Sequence, residues 1–150
     1  MKTRGWVYII VNQAMKNLIK IGYSNKDPLL RAIELESTGT PHKYQVVYDA
    51  LVREPYIVEQ IVHSKLKEFN ESKEWFNCSI RVAIESIRQN SPKIYLEALD
   101  KDLLNAIELK NDYIECFNCN GKGLIKIELK TGGFGNIDCS ECSGKGKLFR

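Results

Sequence analysis

The chain predicts an α+β fold: a small three-stranded antiparallel sheet flanked by helices, then a further helix and a zinc-bound β-hairpin at the C-terminal end. Three observations lead there. Three β-branched and aromatic runs, WVYIIV at 6–11, LIKIGY at 18–23 and YQVVYDALV at 44–52, read as strands, the first two joined by the polar stretch NQAMKN. Amphipathic segments opened by Asp27-Pro28 and Glu54-Pro55 read as helices, because proline suits a first helical turn. Four of the five cysteines fall in the last 35 residues, as two C-x-x-C pairs.

The elements follow in order. After the first hairpin, LLRAIELEST continues from Pro28 as a helix, with Gly39 and Pro41 closing it inside the turn STGTP. The helix after Glu54-Pro55 carries the stripe Val58, Ile61, Val62, Leu66 and Phe69 at helical spacing. A short extended segment around Glu74, Trp75 and Phe76 leads into the amphipathic SIRVAIESIRQN, and Asn90-Ser91-Pro92 marks a break. Residues 94–110, IYLEALDKDLLNAIELK, read as one helix bridging to the tail, with Leu96, Leu99, Leu103 and Ile107 along one side. The tail places LIKIELK and NID around the turn TGGFG, a hairpin with one cysteine pair at each base. The domain organisation is thus a body at 1–90, a linking helix at 91–111 and a zinc hairpin at 112–150.

Length and charge bound the function. A chain of 150 residues suffices for one compact domain with a small appendage, and the tail is too poor in apolar runs to fold without help. The net charge of +3, from 22 basic against 19 acidic residues, permits nucleic-acid binding without demanding it. No apolar run approaches the ~20 residues of a membrane span. The start MKTRGWVYIIVNQ lacks the cleavage site of a signal peptide. The expectation is a soluble cytoplasmic protein with no membrane partner, and in a reducing compartment paired cysteines point to metal before disulfides.

The pattern C-x-x-C-x-G-K-G occurs twice, at Cys116 and at Cys139, with nineteen residues between Cys119 and Cys139. Two such knuckles can place four thiolates tetrahedrally around Zn²⁺. Their glycines let the backbone turn with positive φ and bring N–H groups toward the sulfurs, offsetting thiolate charge. A site closed by Cys116, Cys119, Cys139 and Cys142 has no open position for substrate, so the zinc is expected to be structural. Cys78, alone, reads as a small buried hydrophobe. The knuckle resembles the repeat of the DnaJ-type cysteine-rich domain, but only two of that domain's four repeats are present and the HPD signature of a J-domain is absent. This likeness supports the zinc and the hairpin, and leaves co-chaperone function behind.

The body carries VYI at Val7 to Ile9, KIG at Lys20 to Gly22, Arg31, STGTP, Glu59 with His63 four residues on, and EWF at Glu74 to Phe76. In this order and spacing the set resembles the GIY-YIG nuclease superfamily over residues 5–90, in particular the phage and bacterial branch whose second motif reads KIG. The resemblance implies hydrolysis of DNA phosphodiester bonds with one divalent cation, Mg²⁺ or Mn²⁺; DNA is the expected partner and RNA the second choice. It assigns Tyr8 to activation of the attacking water, Arg31 to the phosphate charge and Glu59 to the metal. His63 would orient a carboxylate or touch phosphate. Phosphoryl transfer needs these parts: activated water, cations on the non-bridging oxygens and a metal.

Two departures stand out. The first motif reads W-V-Y, and Lys20 replaces the usual tyrosine of the second. Lys20 would share a face with Tyr8 and either contact phosphate or lower the Tyr8 pKa from its ordinary ~10. By pattern alone, Tyr8 is a core residue, Arg31 a solvated one, and Glu59 with His63 a surface pair. Trp75 and Phe76 read as core closure; His42 and Tyr44 rank below the others. Lys122, Lys126, Lys130 and Lys145 read as a solvated face of the tail. The alternatives to an endonuclease are a catalytically silent nucleic-acid binding module and an adaptor whose zinc hairpin holds a protein.

Overall fold

The structure, a computed structural model, describes residues 3–36, 42–110 and 113–149. The STGTP turn at 37–41 lies outside them. Its centre is a mixed α/β body in which β1 (Arg4–Asn12), β2 (Ile19–Ser24) and β3 (Tyr44–Arg53) form the antiparallel strands that the sequence predicts, with β1 between the other two.

The sheet is wider than expected. It has six strands in the order β4-β5-β2-β1-β3-β6, where β4 is Asn70–Ser72, β5 is Trp75–Phe76 and β6 is Ile94–Leu99. The last corrects the predicted linking helix: only Lys101–Lys110 is helical (α4), and the residues before it pair with β3 from Val52↔Ile94 to Tyr48↔Leu99. Helical spacing of leucines misled here because β3 had an open edge whose N–H and C=O groups need partners. Asp100 breaks the run, its Oδ1 accepting from Leu103 N at 3.0 Å and so capping α4.

The two faces of the sheet differ. Val7, Ile9, Ile19, Ile21, Val47 and Val52 point to a face covered by α2 (Pro55–Lys65) and α3 (Ile80–Asn90), where they meet Val58, Val62, Ala83 and Ile87 in the main core. The opposite face, with Tyr8 and Ile10, is covered by the eight residues of α1 (Pro28–Leu35) through Ala32 and Leu35. That helix starts as predicted, Asp27 Oδ1 accepting from Leu29 N at 2.9 Å. It stops at Leu35, earlier than the sequence suggested, where Glu36 turns to extended backbone. Among the described residues, α1 is the helix on that face, and it helps to bury Tyr8 and Ile10.

The tail is a ribbon of two small sheets. Strands β8 (Leu124–Glu128) and β9 (Phe134–Asp138) make the predicted hairpin, and β7 (Tyr113–Glu115) pairs with β10 (Lys147–Phe149) to tie its ends together. It is seated on the body. Ser79 N donates to Lys145 O at 3.2 Å, Ser79 Oγ to Gly121 O at 3.4 Å, and Arg81 pairs with Glu108 and Glu115. Among the described residues no helix is long and apolar enough to cross a membrane.

Candidate active site and metal centre

Strand register builds the first cluster. Tyr8 lies opposite Gly22 on β2 and Asp49 on β3, and Lys20 lies opposite Ile10, two residues along β1 from Tyr8. Directly paired residues share a face, so Tyr8 and Lys20 are diagonal neighbours on one side of the sheet, as the hairpin predicts. The phenol ring lies over Gly22, where an added Cβ would stand 2.6 Å from the Tyr8 hydroxyl. This is a physical reason for glycine in KIG: only a residue without a side chain leaves the ring its bed.

Arg31 comes from α1 on the same face. Its guanidinium lies near enough to Tyr8 to act on it electrostatically and bonds Glu34, Nη1 to Oε2 at 2.8 Å. Burial pushes the Tyr8 pKa up, the neighbouring Arg31 guanidinium pulls it down, the charges of Glu74 and Glu59 push it up again, and the net shift is upward. The groups that act on Tyr8 most are Arg31, Glu74 and Glu59. The cation at Tyr8 is Arg31, while the Lys20 ammonium is paired with the Glu74 carboxylate. Glu74, the first residue of EWF, has a partner role that the sequence reading left unassigned. Its distance of 54 residues from Lys20 concealed the pairing.

Glu59 and His63 sit on α2 beside β2. Glu59 is 1 % exposed; Gln60 Nε2 donates to its Oε2 at 2.6 Å, and its Oε1 stands 3.6 Å from His63 Nε2. Burial raises the Glu59 pKa, the His63 and Lys20 charges and the Gln60 bond act against the rise, and Glu74 adds to it. His63 Nε2 also lies 2.8 Å from Ile21 O and its ring packs on Phe76 at 4.9 Å, so it is positioned by backbone and core together. Phe76 is buried as core closure, as expected, and Trp75 stacks obliquely on Tyr44 at 6.2 Å. Asp49, across from Tyr8, is a further carboxylate on this face, its pKa raised by burial and by Asp27. Nothing in its sequence surroundings pointed to it.

The second cluster is the four buried thiols. Cys116, Cys119, Cys139 and Cys142 have sulfurs all within 4.8 Å of one another, with Cys116–Cys139 and Cys119–Cys142 each 3.7 Å apart. A tetrahedron with Zn–S near 2.3 Å has edges of about 3.8 Å, so the spacing fits that ion and is far too long for S–S bonds. Gly123 N donates to Cys119 Sγ at 3.1 Å and Gly146 N to Cys142 Sγ at 3.2 Å, at φ of +75° and +76°. These are the N–H···S contacts that the knuckle glycines predict. The four thiols can hold a metal ion, with all four positions taken by protein. Cys78 is buried in the main core, as expected.

The T5orf172 domain family matches residues 5–91, more than half of the 150-residue chain. The chain therefore belongs to the T5orf172 family, a domain linked to phage nuclease families, which agrees with a nuclease-related role and with interaction with nucleic acid. No curated protein and no solved structure matches it.

Proposed function

We propose, from membership of the T5orf172 family and from the face just described, that this protein is a GIY-YIG-type endonuclease that hydrolyses DNA phosphodiester bonds with Mg²⁺ or Mn²⁺. The observation that carries the reading is the Arg31 guanidinium set close enough to Tyr8 to act on its pKa, on the face of the sheet covered by α1 and within range of the Glu59 and Glu74 charges. Arg31 offers a guanidinium to a phosphate oxygen, which it can do by exchanging its partly exposed bond to Glu34 for a stronger anion. Tyr8 is a phenol at physiological pH because its pKa is raised, and in that form it holds the attacking water by hydrogen bond; its phenolate, a fraction that grows with pH, is the form that takes the water's proton.

Glu59 is the residue that would hold the divalent cation. Its oxygens are hard donors of the kind Mg²⁺ and Mn²⁺ accept, and burial that raises its pKa marks a carboxylate short of positive charge. The cation, when bound, would stabilise negative charge on the phosphate. Gln60 is exposed, so its bond to Glu59 can open outward to admit the ion. His63 holds the far side of the carboxylate.

In this reading the ribbon carries a structural Zn²⁺ and aids nucleic-acid binding. The proposed organisation is a nuclease body at 1–90, which contains nearly all of the family match, a connecting segment at 91–111 and the ribbon at 112–150, with the cytoplasm as the place of work. Plasmid cleavage with Mg²⁺ or Mn²⁺ tests the proposal. Arg31→Ala and Glu59→Ala should each lower cleavage by about 10²-fold or more. Equal cleavage by either variant would remove that residue from the site. The Lys20–Glu74 pair favours a second reading, a nucleic-acid binding module without catalysis, because it occupies the ammonium offered in place of the usual tyrosine. Binding to DNA with no cleavage under either cation would select it, and a protein adaptor would show neither.

A further inference from the structure

Cations converge at the corner of the sheet where β1 begins. Arg4 on β1 lies directly opposite Arg53 on β3, and Arg53 N donates to Lys93 O at 3.1 Å, which ties the residue before β6 to the same corner. The Tyr95 ring of β6 stands among them. Arg4 Cζ is 4.4 Å and Lys93 Nζ 5.3 Å from its centroid. The neighbouring Arg53 guanidinium, and Arg4 after it, hold the Tyr95 pKa below its ordinary value.

This corner has no counter-charge of its own. Among the described residues none of Arg4, Arg53 and Lys93 is in an ion pair with a carboxylate. Glu97, the acid of β6, is paired instead with Arg88 of α3. Like charges directly opposite each other across two strands destabilise a sheet. The Tyr95 ring offers a cation the attraction of its π-face, but it cannot neutralise three charges. An anion with several oxygens can. Two guanidinium forks and an ammonium supply donors alone, in the planar and point-charge geometries that a phosphate group accepts.

The corner also shares a face with the candidate active site. Alternate residues of a strand point to one side, so Arg4, Trp6 and Tyr8 of β1 lie along one face, with Arg53 opposite Arg4 and Asp49 opposite Tyr8. Four strand residues span about 13 Å, and phosphates along one strand of DNA rise about 3.4 Å each along the axis. We propose that Arg4, Arg53 and Lys93 hold a backbone phosphate of bound nucleic acid, about four nucleotides from the phosphate that Arg31 would meet. The inference rests on the nucleic-acid reading above and not on cleavage, because a silent binding module would use the same contact. Its work is to fix the position of the backbone without reading sequence.

The test is fluorescence anisotropy of the full zinc-loaded chain on labelled DNA duplexes, without Mg²⁺ or Mn²⁺, over a series of salt concentrations. Arg4→Gln combined with Arg53→Gln should weaken binding about tenfold or more on unrelated sequences alike, and should lower the slope of log K against log salt by about 1, as one lost phosphate contact does. Lys93→Gln, which lies outside the strands, should weaken binding about threefold or more, and it decides if the double variant disturbs the β1–β3 pairing. Lys101→Gln removes the same charge at the other end of β6 and should change binding less than twofold; an equal loss there would reduce the effect to bulk charge and overturn the site. Wild type and variants binding DNA alike would overturn the phosphate site and leave the nuclease reading standing, whereas a wild type that binds no DNA would sink both. Inorganic phosphate bound as tightly as DNA, or phosphatidylserine vesicles held more tightly than DNA through the same residues, would also overturn it.

Discussion

The body and the ribbon solve the same problem with different materials. The body buries a continuous core of Val, Ile, Leu and Phe between its sheet and α2 and α3. In the ribbon the buried cluster is the four cysteines, with Ile125 and Leu148 packed against them. Hydrophobic burial is spread over many contacts, so the body can lose one without unfolding, whereas a metal centre concentrates its stabilisation in four bonds. The difference teaches where each part is vulnerable: the body's stability is shared among many side chains, and the ribbon's rests on four thiols that can hold a metal ion.

Removing the metal should break the comparison most sharply. Structural zinc contributes on the order of 10 kcal/mol to the folding of such small modules. A strong chelator, or Cys119→Ser, should therefore abolish amide protection across 113–149 and leave that of β1, β2 and β3 in place, as read by hydrogen exchange. Protection retained in the ribbon after metal analysis shows less than one zinc per chain would remove the metal from its folding.

The glycines sharpen the contrast at a smaller scale. Gly22 is needed for space, because a Cβ would meet the Tyr8 ring, and Gly22→Ala should cost about 1–3 kcal/mol by overpacking and lower cleavage. Gly132 in the ribbon turn has open space around it but a φ of +86°, so Gly132→Ala should cost only about 1 kcal/mol, through backbone conformation. Urea denaturation of the two variants ranks them. A reversed order would contradict the packing at Tyr8.

Titration of the site should follow the raised pKa values of Glu59 and Tyr8. Burial raises Glu59, so its contribution to stability is present at acid pH, below its unfolded value, and is lost as pH rises through the folded one. Deprotonation in the same window creates the carboxylate that the proposed metal role requires, so that role would be gained as stability is given up. Glu59→Gln should accordingly be more stable than wild type at pH 8, with the gap closing at low pH, and should no longer bind Mn²⁺. Cleavage by wild type should go on rising toward pH 10 as the Tyr8 proton becomes easier to lose, and Tyr8→Phe should flatten that limb. A plateau near pH 7 in wild type would exclude Tyr8 as the proton acceptor.

The smallest effect is expected at the sheet edge added by β6. Arg88 Nε donates to Glu97 Oε1 at 2.9 Å, tying α3 to β6 at an exposed position. Exposed pairs contribute roughly 0–1 kcal/mol. Arg88→Ala should lower the midpoint of unfolding by no more than a few degrees, and less at high salt.

The sequence by itself determined the parts whose information is local. Alternation in WVYIIV and LIKIGY, the proline caps and the C-x-x-C spacing each depend on neighbours within a few residues, and the strands, helix starts and thiol cluster appear where those signals stand. The ordered motif set brought Tyr8, Lys20 and Arg31 to one face. What only the tertiary structure decided depends on pairing across long separations. Ile94–Leu99 became a strand because β3 offered an open edge; Lys20 turned to Glu74 because β5 closed beside β2; and the ribbon was seated because Ser79 met Lys145 and Gly121. The same limit hid the convergence of Arg4, Arg53 and Lys93, which the pairing of β1, β3 and β6 brings to one corner. Edges, charges and buried polar groups are satisfied by whatever the fold brings near, and that nearness is written in no local pattern.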